Sequence, residues 1–196
     1  MGFGEPLSKL GYASFFSAAL EYLVIRKADR VSLTIFEESV REHFPPGSTQ
    51  RHMHGLMNAL EKNAPGRETR LAEALRRTLP LLTRRGTLIV VSDFLDDAAA
   101  IFEALGPYLH RGFRVHLFHI IDPIEEDLSR RGNLTFVDIE TGHRVVANAD
   151  QIRAGYRDLI AGHISRLRNL AVRRGVDYAL ARTDRDYFTL FDHLAR

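Results

Sequence analysis

Apolar positions recur at helical spacing from Leu7 to Lys27, where Leu10, Phe15, Ala18, Ala19, Tyr22, Leu23 and Ile25 predict an amphipathic helix. Val31, Leu33 and Ile35 then alternate with Ser32 and Thr34, the period of a strand, and a second short strand is expected from Val40 to Phe44, closed by Pro45-Pro-Gly-Ser. The simplest connection between these strands is a hairpin. Met53, Leu56, Met57 and Leu60 share one face of a helix spanning about Thr49 to Lys62. Leu71, Ala74, Leu75, Leu79 and Leu82 do the same for a helix that ends near Gly86.

The next segments carry the strongest pattern. Thr87 to Ser92 is a continuous apolar strand, a helix is expected from about Asp97 to Arg111, and Phe113 to Ile121 is a second apolar strand. That succession is a β-α-β unit. Leu134 to Ile139 and His143 to Ala147 flank Glu140-Thr-Gly142 as a hairpin. A long helix from about Asp150 to Arg174, a strand from Asp177 to Ala181 and a closing helix from Asp186 to Leu194 follow. Strands separated by helices predict an α/β fold, a three-layer sandwich around a mostly parallel sheet with antiparallel decoration at its edges.

Composition narrows the function classes. At 196 residues and 45% hydrophobic content the chain is expected to form one domain with a real core. It has no cysteine, which excludes thiolate metal sites and cysteine chemistry. No apolar run approaches the roughly 20 residues of a membrane-spanning helix, so the expected location is cytoplasmic, with no membrane insertion of this chain. The 27 Lys and Arg against 25 Asp and Glu leave a formal charge of only +2, with arginines and acids interspersed, so nucleic acid is not expected as a partner.

Asp93 is the first residue that invites a chemical role. It follows directly on the Thr87 to Ser92 strand, and open α/β sheets bind ligands beyond the carboxyl ends of their strands. The plain alternative is a turn residue, with Asp96 or Asp97 capping the helix that follows. Nine histidines raise the question of a metal. His52 and His54 lie two apart on a helix, roughly 200° around its axis, and His116 and His119 lie three apart on a strand, facing opposite sides, so neither pair can chelate. No Walker loop and no Gly-x-Ser-x-Gly elbow is present. Thr69 and Asp93 remain as oxygen donors from separate loops, too few by themselves for Mg²⁺, and an N-cap is the ordinary role of Thr69.

Four segments occur in a telling order: Ser8-Lys-Leu-Gly-Tyr-Ala13, Asp29-Arg-Val-Ser-Leu-Thr-Ile-Phe36, Thr69-Arg-Leu-Ala-Glu-Ala-Leu75 and Val90-Val-Ser-Asp-Phe-Leu-Asp96. Together with Arg111-Gly-Phe-Arg-Val-His116, Ile121-Asp-Pro-Ile-Glu-Glu126, Phe136-Val-Asp-Ile-Glu-Thr-Gly142 and Gly175-Val-Asp-Tyr-Ala-Leu180, this order resembles the DUF58 family, whose C-terminal part is von Willebrand factor A-like. The resemblance implies a single von Willebrand A-like, Rossmann-like domain over residues 1–196. It also implies that the chain starts just past the family's Asp-x-Ser-x-Ser motif, N-terminally truncated and without the first central strand. In that arrangement Thr69 and Asp93 match the later ligands of a metal-ion-dependent adhesion site. The implied cofactor is Mg²⁺ in an intact domain and none in this chain, where the site is incomplete.

Loss of a central strand would open two apolar edges, so the chain is expected to bind Mg²⁺ poorly and to associate. The function that the resemblance implies is a non-enzymatic protein-interaction module. Its partner is expected to be a MoxR-type AAA+ ATPase or that ATPase's client, in complex assembly or maturation, and a longer product could be membrane-anchored. The alternative is a metal-dependent phosphoryl-transfer enzyme or hydrolase using Asp93, with Asp96 or Asp97 assisting.

Overall fold

The computed structural model describes residues 1, 7–37, 40–66, 70–128, 132–137 and 144–194. Six α-helices and seven strands form in chain order among these residues: α1 (Lys9–Arg26), β1 (Val31–Phe36), β2 (Val40–Gly47), α2 (Gln50–Glu61), α3 (Leu71–Thr78), β3 (Thr87–Ser92), α4 (Ala98–His110), β4 (Arg114–Ile121), α5 (Pro123–Asp127), β5 (Asn133–Val137), β6 (Arg144–Asn148), α6 (Ala149–Arg174) and β7 (Asp177–Arg182). Two 3-10 helices, Leu79–Leu81 and Tyr187–His193, complete the set.

The parallel β-α-β unit forms as the apolar runs predict. β3, β4 and β7 make a parallel sheet in that order, with Ser92 opposite His119 and Ile121 opposite Arg182. β4 lies in the middle and is buried on both faces, which is why its apolar residues occupy both faces and its two histidines are buried with them. Val115 and Leu117 face a core built by α3, α4 and α6, centred on Leu75, Ile101, Leu105, Tyr108 and Leu167. Phe118 and Ile120 face the opposite core, formed by Tyr12, Ala13 and Phe16 of α1 with Leu190 of the closing helix. Helices on both faces of one sheet give the three-layer, von Willebrand A-like α/β sandwich.

β1 and β2 form an antiparallel hairpin, and β5 and β6 form another, whose turn lies outside the described residues. Among the described residues no ladder joins β1 to β3, so each has one edge without a strand partner there. No helix among these residues is long and apolar enough to cross a membrane.

Three expectations are corrected. β2 runs through Pro45 and Pro46 to Gly47 instead of stopping at Phe44, because the two prolines fall in the irregular stretch between the Val31–Gly47 and Leu33–Phe44 pairs, where neither is a registered partner of β1. The helix expected to reach Gly86 ends at Thr78 and tightens into a 3-10 turn at Leu79–Leu81, where Pro80 lacks the N–H to continue it. The closing segment is a 3-10 helix, started by the Asp186 carboxylate accepting the Phe188 N–H.

Candidate functional site

The parallel strands β3 and β4 end side by side, and each ends on an aspartate. Asp93 follows Ser92, and Asp122 follows Ile121. After Asp93 the chain turns sharply, with Phe94 in the left-handed region at φ 50°. A non-glycine residue pays roughly 1–2 kcal/mol to stand there. Three contacts hold it: the Phe94 N–H donates to Ser92 Oγ (3.2 Å), His163 of α6 donates through Nε2 to the Phe94 carbonyl (2.9 Å), and the Phe94 ring is buried against His119, 5.5 Å between centroids. The same turn leaves the next side chain, Leu95, 67% exposed.

α1 supplies the cation. Its N-cap, Ser8, accepts the Gly11 N–H at 3.1 Å and sets the helix start so that Lys9 points inward. The Lys9 side chain is only 2% exposed, and its ammonium donates to Asp93 Oδ2 at 3.1 Å and to Glu125 Oε1 at 2.6 Å. The amino group of Met1 also donates to Asp93 Oδ2, at 3.0 Å. Burial alone would raise the Asp93 pKa, but the positive charges of Lys9 and Met1 more than offset it and hold the carboxyl below its ordinary value. Glu125 is fixed from the other side by a capping box, its Oε2 accepting the Asp122 N–H at 3.3 Å. Asp122 in turn accepts the Ile124 N–H and the Thr183 hydroxyl, both at 2.9 Å.

A cavity of about 50 Å³ lies beside this ion cluster, lined by Lys9, Asp93, His119, Glu125, Tyr156 and His163, with Leu95 also on its wall. His119 shares a hydrogen bond with the Tyr178 hydroxyl at 2.7 Å. Burial, then the adjacent His163, pushes the His119 pKa down to about 4, so its ring is neutral near pH 7.

Of the residues picked from the sequence, Asp93 stands at the centre of the site, and Thr69 lies outside the described residues. Asp97 is the N-cap of α4, accepting the N–H groups of Ala99 (2.6 Å) and Ala100 (3.2 Å). Asp96 accepts from Asp97 N–H at 2.7 Å and from Ala72 N–H, in the first turn of α3, at 3.4 Å. No hydrogen bond joins either to Asp93 among the described residues; Asp97 does the capping of α4 that was the plain alternative, while Asp96 reaches the first turn of α3 instead. His116 and His119 do face opposite sides of β4, His116 towards the closing helix and His119 towards α6. Sequence reasoning gave no role to Lys9, Glu125, His119 or His163. The signal that could have flagged Lys9 is its place directly after a Ser N-cap on a helix whose next apolar turn, Tyr12, Ala13 and Phe16, is buried.

The donors present do not fit Mg²⁺. That ion wants about six oxygens at roughly 2.0–2.1 Å in octahedral array. Here the facing oxygens of Asp93 and Glu125 already converge on an ammonium, and the second oxygen of Glu125 and both of Asp122 are held by N–H and O–H donors. Among the described residues no group of three His, Cys, Asp or Glu side chains is arranged to hold a metal ion.

Comparison with known proteins gives a family and a fold. The model of a family described as "Protein of unknown function DUF58" matches residues 3–166. Among solved structures, the conserved hypothetical protein BatB from Bacteroides thetaiotaomicron is similar with a TM-score of 0.56 and 15% identity, over 97% of this chain and 88% of that one. An aerotolerance-related membrane protein from Bacteroides fragilis NCTC 9343, carrying multiple mutations to serines, is similar with a TM-score of 0.57 and 13% identity, over 93% of this chain and 86% of that one. At such identities the likeness is one of fold. No curated protein matches the sequence.

Proposed function

Since the chain belongs to the DUF58 family, we propose that it is a non-enzymatic protein-interaction module whose docking face is the carboxyl end of the three-stranded sheet. Its partner system in this reading is a MoxR-type AAA+ ATPase, or that ATPase's client, in complex assembly or maturation. The ATPase enters through the family resemblance; the docking face is argued from geometry. An ATP-driven partner puts that face in the cytoplasm, and the description of one structural neighbour as a membrane protein fits a place of action near the membrane.

The observation that carries the reading is the pairing of a neutralised carboxylate with an exposed apolar neighbour. Asp93, the natural nucleophile or ligand, is tied to Lys9, while Leu95 two positions on stands in solvent on a rigidly held turn. A single large apolar side chain on a fixed loop is the kind of group that anchors an interface. The adjoining cavity, about 50 Å³, falls well short of the ~300–1,000 Å³ of ordinary small-molecule pockets.

Leu95→Glu tests this. Co-purification from the native cells, followed by titration of the captured ATPase or client, should show binding weakened by at least tenfold, with the melting temperature within about 2 °C of wild type because the side chain is exposed. Equal binding by wild type and Leu95→Glu would sink the docking face. Phosphoester turnover lost in Asp93→Asn would replace the reading with an enzymatic one.

A further inference from the structure

We propose that Lys9 is the resident cation of this site: its ammonium fills the position between Asp93 and Glu125 that a divalent ion would need, so the docking face is organised without metal. This rests on the interaction-module reading for its consequence, though not for its chemistry. Three observations carry it. The lysine is buried at 2% exposure, where an unpaired ammonium would be strongly disfavoured. Its two acceptors come from different strands' ends, Asp93 after β3 and Glu125 after β4, and Lys9 bridges them, whereas the Met1 amino group reaches Asp93 alone. The oxygens that remain on Glu125 and Asp122 are oriented by backbone and hydroxyl donors, so the oxygens open to a divalent ion are those of Asp93 and Glu125 Oε1, and they open only when the ammonium leaves.

An ammonium and a dication compete for the same two oxygens. Lys9 is intramolecular and always present, held by α1 with its N-cap formed, whereas a divalent ion would have to shed waters, displace a buried charge and then sit beside it. The lysine also does the structural work of such an ion. It ties the turn carrying Leu95 to α5 and so fixes the spacing of the two loops that form the face.

A merely structural ion pair would lose stability on mutation and do nothing further. A resident cation, once removed, should uncover latent affinity for a divalent ion. The experiment is thermal unfolding and Mn²⁺ titration by electron paramagnetic resonance on wild type, Lys9→Met and the double variant Lys9→Met/Asp93→Asn. Wild type should take up no Mn²⁺ at millimolar concentrations, and its melting temperature should move by less than about 1 °C with Mg²⁺, Mn²⁺ or EDTA. Lys9→Met should melt lower, then recover by roughly 5–10 °C at a hundredfold excess of Mn²⁺ over Kd. The double variant should lose that recovery.

Stoichiometric Mn²⁺ binding by wild type, lost in Asp93→Asn, would overturn the proposal, and that measurement stands even where Lys9→Met does not fold. A folded Lys9→Met that ignores Mn²⁺ would also overturn it, leaving a simple buried ion pair. Neither result touches the Leu95→Glu test, which reads partner binding; loss of the docking face would in turn leave the cation assignment intact.

Discussion

His119 and Glu21 make opposite demands on pH. His119 is buried on β4, and burial first, then His163, pushes its pKa down to about 4 from an ordinary 6.5. Between those values the unfolded chain binds the extra proton, so the stabilisation from a neutral ring is complete above about pH 6.5 and is lost as pH falls towards 4. The slope is up to ~1.4 kcal/mol per pH unit, or about 3 kcal/mol in all. Glu21 of α1 is buried with its Oε2 unpartnered, and burial raises its pKa to about 7. Its contribution is present below about 4.5 and lost as pH rises through 7, by a similar amount. The two trends nearly cancel from pH 4.5 to 6.5. Glu21→Met should unmask them: denaturant titrations would show the variant more stable than wild type at pH 8, by order 1–3 kcal/mol, and falling steadily below pH 6.5. A variant no more stable than wild type at pH 8 would show that burial does not penalise the ionised Glu21. At this scale the sequence marked Asp93, because a carboxylate ending an apolar strand is conspicuous. Lys9 was hidden, since a lysine in the first turn of an amphipathic helix looks like its polar face, and its acceptors lie 84 and 116 residues away.

Elements were more legible than contacts because their signals are local. The bounds of β3 agree with the apolar run residue for residue, and α1, α2, α4 and α6 begin within about two residues of their expected starts, each at a Ser, Thr, Asp or Asn cap. The departures share a cause: tertiary setting chose between states of similar local preference. Pro45 and Pro46 stay in β2 because they fall in an irregular stretch of its pairing with β1, and the seven-residue closing segment tightens into 3-10 form. The cap of α4 gives a test at this scale. Asp97 takes two otherwise unpaired N–H groups and also fixes where the Phe94–Leu95 turn ends. Asp97→Ala should lower stability by about 1 kcal/mol in urea titration, with Asp97→Asn retaining most of it. Equal urea midpoints for Ala and wild type would mean that the turn, held by His163 and Ser92, sets the helix start without the cap.

Among the described residues, no ladder joins the β1–β2 hairpin to the three-stranded parallel sheet. The parallel sheet is closed by helices on both faces, and its presence was readable from alternating strand and helix patterns alone. The relation of the β1–β2 hairpin to that sheet was not readable from periodicity, which carries no information about which strands pair; only the family resemblance placed β1 and β3 apart. β3 has the sequence of an interior strand, Thr-Leu-Ile-Val-Val-Ser, yet among the described residues it bonds to β4 alone, and Leu88, Ile89 and Val91 remain only half-buried. An apolar strand with an open edge templates pairing with another chain. The 196-residue chain should therefore associate: sedimentation velocity should show larger species growing with concentration, and amide exchange in β3 should slow as they form. Slowing confined to α6, whose Leu159 and Val172 are also exposed, would assign the association to helix packing instead. A monomer at all concentrations, with β3 amides exchanging fast, would mean that the open edge of β3 does not template pairing.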